Sequence, residues 1–202
     1  MTTPEDLRNL LNQQDDTATL NRLHTRLTKQ AATENLLDVA YRMLDTPVGT
    51  LLLAATPIGL VRVAFPVEGY DHVLTQLTER VSPRVLFAPA RLDPAVREIE
   101  AYFARHRQRF DLPLDLQLAH GFRRTVLEHL SDIAYGTTAT YATIATATGN
   151  PKAVRAVGSA CATNPLPLVV PCHRVIRSDG SLGGYAGGMD AKQLLLHLEA
   201  AP

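Results

Sequence analysis

The apolar periodicity of this 202-residue chain changes at Val39 and again after Gln117, and this double switch limits its fold more than any other feature. Before Val39, Leu7, Leu10 and Leu11, then Leu20, Leu23 and Leu27, recur at helical spacing around a polar break at Asn12–Asp16. From Val39 three apolar, partly β-branched runs follow: Val39–Leu44, Thr50–Thr56 and Leu60–Phe65. Thr46-Pro47-Val48-Gly49 and Pro57-Ile58-Gly59 separate them as turns, which predicts an antiparallel meander. Val73, Leu74 and Leu77 then predict a helix over Tyr70–Val81. A second helix is predicted over Asp93–His106, with Asp93 as N-cap, Pro94 first, and Val96, Ile99 and Phe103 on one face. His72 and His106 read as surface residues.

After Gln117 the chain is helical again. Phe122, Val126, Leu127, Leu130 and Ile133 share a face that Gly136 closes. Thr140 caps a short helix over Tyr141–Ala147, and Gly149-Asn150-Pro151 turns into a helix predicted over Pro151–Ala162 with Asn150 as its cap. Two short helices about such a turn form a helix-turn-helix pattern. The second is rich in small residues (Ala153, Ala156, Gly158, Ser159, Ala160), which suits close approach either to DNA or to another helix. Asp190 and Gln193 read as a capping box for a last helix with Leu194, Leu195 and Leu198 facing inward. The expected fold is α+β. Residues 1–38 form a helical extension, 39–117 an α/β domain with a three-stranded antiparallel sheet, and 118–202 a helical domain with a helix-turn-helix and an active-site loop.

With 46% apolar residues the chain can bury a core, and its 20 basic and 20 acidic residues give no global field. Locally, Ala119–Arg177 holds six basic residues against two acidic ones, a modest attraction for phosphates. Two cysteines eleven residues apart, Cys161 and Cys172, argue against a disulfide scaffold and for a reducing compartment. The polar, acidic start is unlike a targeting peptide, and no apolar run is long enough to cross a bilayer, so a cytoplasmic location is expected (nuclear in a eukaryote).

Chemistry concentrates at Pro171-Cys172-His173-Arg174-Val175. A thiol becomes a nucleophile when a neighbour removes its proton, His173 is the nearest candidate base, and Pro171 stiffens the support. Glu199 on the last helix can orient the imidazole if the fold brings them together. Five glycines between Gly180 and Gly188 imply close backbone approach, without the strand and helix context of a nucleotide-phosphate loop.

The run Tyr135-Gly136-Thr137-Thr138, Tyr141, Gly149-Asn150-Pro151-Lys152-Ala153, Arg155-Ala156-Val157-Gly158, Asn164-Pro165, the Cys-His segment, Gly183-Gly184-Tyr185-Ala186-Gly187-Gly188, Lys192 and Glu199 closely resembles the O6-alkylguanine-DNA alkyltransferases. The resemblance spans about Phe122 to Glu199. It implies double-stranded DNA containing O6-alkylguanine as partner, bound through the minor groove by a monomer, with O4-alkylthymine left open as a second substrate. Cys172 would take the alkyl group permanently. His173, through a water, and Glu199 would draw off its proton, Tyr141 would protonate the departing guanine, and Asn164 would brace the turn. Arg155 would fill the gap left by the flipped nucleotide, with Tyr141, Ala153, Ala156, Gly158 and Ser178 against DNA. Tyr185, Ala186, Gly187 and Pro171 would line the base pocket. Ala186 stands where some members carry a hydroxyl. No cofactor is implied, and a zinc site of the kind some members hold is not expected, since no cysteine precedes Cys161. A damage binder on the same fold would lack Cys172, while a Cys-His hydrolase or a simple regulator leaves much of this run unexplained.

Overall fold

The computed structural model describes the backbone of residues 4–34 and 36–200 and the side chains of residues 18–31, 33–34 and 36–200. The chain divides into two compact units, Met1–Asp38 and Val39–Pro202. In the first, α1 (Pro4–Thr33) is one continuous helix. The polar stretch Asn12–Asp16 does not interrupt it, because polar residues cost a solvated helix only tenths of a kcal/mol each, about 0.7 at most. The side chains of Leu7, Leu10 and Leu11 lie outside the described residues; Leu20, Leu23 and Leu27 are exposed.

The second unit starts with the expected meander: β1 (Val39–Leu44), β2 (Leu51–Ala55) and β3 (Leu60–Ala64) pair antiparallel. A fourth strand, β4 (Val85–Phe87), extends the sheet by pairing parallel to β1, giving the order β3-β2-β1-β4. Between them α2 (Tyr70–Arg80) lays Val73 and Leu77 on one face of the sheet, against Val39, Leu52, Ala54 and Val61. The other face carries Leu51, Leu53, Val63 and Phe65 into the larger core shared with α3 (Asp93–Phe103) and the helices that follow. Asp93 is the first residue of α3 rather than its cap. A 3₁₀ turn over Pro89–Leu92 runs straight into the helix, Leu92 takes the cap position, and the Asp93 carboxylate pairs with Arg42 at 2.8 Å.

The free edge of β3 is covered, as sheet edges need to be. Leu60 N–H donates to Pro113 O (2.8 Å) and Asp115 N–H to Leu60 O (2.8 Å). Gly59 permits this approach: a Cβ there would sit 2.2 Å from the Pro113 oxygen. Farther along, Val63 N–H donates to Pro165 O (2.9 Å), which fastens the sheet to the loop before the cysteine.

In the C-terminal half α4 (Phe122–Leu130) buries Val126, Leu127 and Leu130. It ends well before Gly136, which instead adopts φ +72 in a later turn. β5 (Ala139–Thr140) leads into α5 (Tyr141–Ala147), capped as expected by Thr140, whose Oγ1 accepts from Thr143 N–H at 3.0 Å. The next helix, α6 (Val154–Ala162), begins later than its sequence suggests. Gly149 is left-handed (φ +76), Ala153 N–H closes a turn on Asn150 O at 2.9 Å, and Ala153 becomes the cap. The short β6 (Val175–Ile176) pairs parallel to β5. Finally α7 (Gly188–Ala200) starts two residues before Asp190, so Asp190 lies within its first turn rather than at its cap. No helix among the described residues is long and apolar enough to cross a membrane.

Candidate active site

The site is built on a turn with little freedom. At the end of α6 the buried Asn164 directs its side chain back into the loop it starts. Its Oδ1 accepts from Leu166 N–H (2.9 Å), and its Nδ2 donates to Val170 O (2.9 Å) and Cys172 Sγ (3.2 Å). Leu168 sits at φ +76, a left-handed conformation that leucine adopts at a cost of about 1–2 kcal/mol. Pro171, at φ −80 and ψ 59, is the centre of an inverse γ-turn closed by Cys172 N–H to Val170 O at 2.8 Å. A 3₁₀ turn over Cys172–Arg174 follows. Cys172 is buried, with 1% of its surface exposed.

The two residues after it meet Glu199 of α7. His173 Nε2–H donates to Glu199 Oε1 at 2.9 Å. A carboxylate can only accept, so Nδ1 carries the lone pair, and it has no hydrogen-bond partner among the described residues. Arg174 clamps both oxygens, Nε to Oε2 and Nη2 to Oε1, each at 2.8 Å, while its Nη1 donates to Ile133 O at 2.6 Å. Gly136 N–H donates to Oε2 (3.3 Å), and the Tyr102 hydroxyl of α3 donates to Oε1 (2.7 Å). Burial alone would raise the Glu199 pKa, but the hydrogen bonds and charges of His173 and Arg174 outweigh it and bring it down to about 2. Glu199 is therefore a fixed anion rather than a proton carrier.

Burial dominates the other two groups. It pushes the Cys172 thiol up to about 11 against the Asn164 hydrogen bond and the Lys192 charge. It also lowers the His173 pKa against the pull of Glu199. At rest the pair is a neutral thiol beside a neutral imidazole. Tyr141 is likewise held protonated, chiefly by burial and then by the nearby cysteines.

The glycine loop closes over the site by contact with rings. A Cβ on Gly183 would lie 2.1 Å from the Tyr141 hydroxyl, and one on Gly187 would lie 2.6 Å from the Phe65 ring. Tyr185 stands edge-on to Phe65 (centroids 5.5 Å) and to His173 (6.2 Å). Ala186 and Gly187 are half-buried beside it. Lys192 of α7 is fully buried and ties the loop to the cysteine strand, its Nζ donating to Val175 O (2.6 Å) and Gly183 O (3.3 Å).

Sequence comparison settles the family. Residues 39–116 match the family described as 6-O-methylguanine DNA methyltransferase, ribonuclease-like domain, and residues 121–201 match its DNA binding domain. The chain belongs to the 6-O-methylguanine DNA methyltransferases. This family repairs DNA by transferring an alkyl group to a cysteine of the protein. A methylated-DNA–protein-cysteine methyltransferase of Mycolicibacterium paratuberculosis is 42% identical over 80% of this chain and 92% of its own length. One from Methanosarcina barkeri is 39% identical over 79% of this chain and 96% of its own. The crystal structure of the Mycobacterium tuberculosis O6-methylguanine methyltransferase superposes with a TM-score of 0.72 at 38% identity, covering 81% of this chain and 95% of that one. A structure of the same organism's protein in complex with DNA superposes at 0.69 with 39% identity, covering 79% and 92%.

The fold thus gathers Asn164, Cys172, His173 and Glu199 into one connected group, with Pro171 inside its turn and Tyr141 and Tyr185 against its glycine loop. The residues expected to meet DNA lie elsewhere. Arg155 and Ala156 are exposed on α6, Ala153 and Gly158 are half-buried there, and Ser178 is exposed on the Arg177–Ser181 turn. Sequence reading missed Tyr102, Arg174 and Gly136 as Glu199 partners. A readable signal existed for one: Tyr102 follows Ile99 on the buried face of α3, and a buried tyrosine hydroxyl needs a partner.

Proposed function

We propose that Cys172 is the alkyl acceptor and that the chain uses it once. The arrangement that carries this reading is a buried thiol, held by Asn164, next to an imidazole whose Nε2 is locked on an anionic carboxylate. The proton of Cys172 passes through a water to His173 Nδ1, and Glu199 stabilises the imidazolium that forms. The thiolate attacks the alkyl carbon, forming the S–C bond as the C–O6 bond of guanine breaks. Tyr141 donates a proton at N3 of the departing guanine. The product thioether has no leaving group, so no second turnover follows.

A base inside a duplex is out of reach of a thiol that is 1% exposed, so the nucleotide must leave the stack at a cost of about a few kcal/mol. The exposed small-residue face of α6 suits close docking in the minor groove, and Arg155 suits the space the base vacates. Tyr185, Ala186 and Gly187 wall the receiving pocket. One chain supplies every group named, so a monomer suffices, in a compartment that keeps thiols reduced such as the cytoplasm. The decisive experiment is mass spectrometry after incubation with duplex DNA bearing O6-methylguanine. The expected product is protein heavier by one methyl on Cys172; folded protein with Cys172 unmodified would refute the proposal.

A further inference from the structure

Among the described residues, every donor to Glu199 but one comes from the C-terminal half of the second unit. The exception is Tyr102, which reaches across from α3, 97 residues away in sequence. Its side chain is fully buried, and its ring is fixed by Phe103, Phe110 and Tyr135 at centroid distances of 5.3, 5.3 and 6.1 Å. The hydroxyl has thus no freedom to seek another acceptor. It donates to Oε1, the same oxygen that accepts from His173. Gly136 N–H and Arg174 Nε donate to Oε2, while Arg174 Nη2, His173 Nε2 and the Tyr102 hydroxyl share Oε1, so Tyr102 adds to the hold on the oxygen that faces His173.

We propose that Tyr102 is a positioning residue of the proton relay: its hydroxyl holds Glu199 Oε1 against His173 Nε2, so that the N-terminal half sets the efficiency of alkyl transfer by the C-terminal half. This inference rests on the relay reading given above. Without the hydroxyl, the carboxylate is free to settle onto Arg174 and Gly136, the imidazolium loses stabilisation, and His173 becomes a weaker acceptor for the thiol proton. The other charged and titratable groups facing the relay, Arg174, Lys192, Tyr135 and Tyr185, stay in place in such a variant.

The test is the pH dependence of single-turnover methyl transfer for wild type, Tyr102→Phe, Glu199→Gln and the double variant. Tyr102→Phe should move the rising limb of the profile, which follows loss of the His173 proton, toward acid pH by about one unit and lower the plateau roughly tenfold, because a less basic imidazole takes the thiol proton less readily. Glu199→Gln should move it at least as far, and adding Tyr102→Phe to it should change nothing further, since the tyrosine acts through the carboxylate. The ¹⁵N shifts of His173 should change with Tyr102→Phe. 3-Fluorotyrosine at position 102, which keeps ring and hydroxyl, should restore the wild-type profile. A profile that moves with Glu199→Gln but not with Tyr102→Phe overturns the role of Tyr102 and leaves the relay standing. A profile that moves with neither overturns the relay itself. An equal shift with phenylalanine and with fluorotyrosine would assign the effect to ring packing and also overturn the proposal.

Discussion

At the scale of single residues, Glu199 organises the site, because among the described residues five donors from four residues converge on its two oxygens. Its depressed pKa contributes stability that is fully present above about 4.5 and is lost as pH falls toward about 2, on the order of 3 kcal/mol. Acid unfolding followed by circular dichroism should show this loss, and Glu199→Gln should abolish that part of the pH dependence. The same variant leaves Arg174 as a buried charge with an incomplete partner, which should cost about 3–5 kcal/mol in a denaturant titration at neutral pH. Cys172 makes a separate prediction. With its pKa near 11, its alkylation by iodoacetamide in the DNA-free protein should be slow at neutral pH and keep rising into strongly alkaline solution. Cys172 and His173 stood out in sequence because their chemistry is unusual, while Glu199 entered as a conditional partner and through the family resemblance, and the fold brings it to His173. Tyr102 was not, because nothing local distinguishes a tyrosine that packs from one that also donates to a group 97 residues on.

Among the elements, legibility followed length and locality. The three antiparallel strands follow one another through short turns, so their pattern is visible in a continuous stretch of chain. β4 has three residues, only half-buried or exposed, and a parallel partner that no hairpin announces. The start of α6 was misplaced because an Asn-Pro pair suits a helix start and a tight turn equally, and the left-handed Gly149 decides for the turn. Two glycines separate stability from chemistry. Gly59→Ala would push a methyl into the Pro113 carbonyl, a backbone atom that cannot swing aside, and should cost about 1–3 kcal/mol or more with DNA binding by the folded fraction unchanged. Gly183→Ala meets only the tip of the Tyr141 ring. Thermal melts and single-turnover kinetics should show a small stability loss and a large drop in transfer rate.

For the whole molecule, the hydrogen bonds of the site among the described residues fall within residues 39–202. A chain of those residues alone is expected to transfer a methyl group at the rate of the full chain, measured by the same mass-spectrometric assay; a rate lower by tenfold or more would give residues 1–38 a part in the chemistry. Within 39–202 the halves are interdependent. Val63 holds Pro165, Phe65 fills the space left by Gly187, and Tyr102 reaches Glu199. Such cross-bracing should make this unit unfold in a single cooperative step, with tyrosine fluorescence and circular dichroism giving coincident denaturant transitions.

The convergence on Glu199 also has a meaning in time. A ribosome makes the chain from its N-terminus, at about 5–20 residues per second. Tyr102 emerges first, then Gly136, then His173 and Arg174, and the carboxylate that all of them await comes last. Until Glu199 has been added, the imidazole Nε2–H of His173 has no carboxylate to donate to. If Cys172 is the acceptor proposed above, the growing polypeptide holds it without its carboxylate partner until α7 has been made.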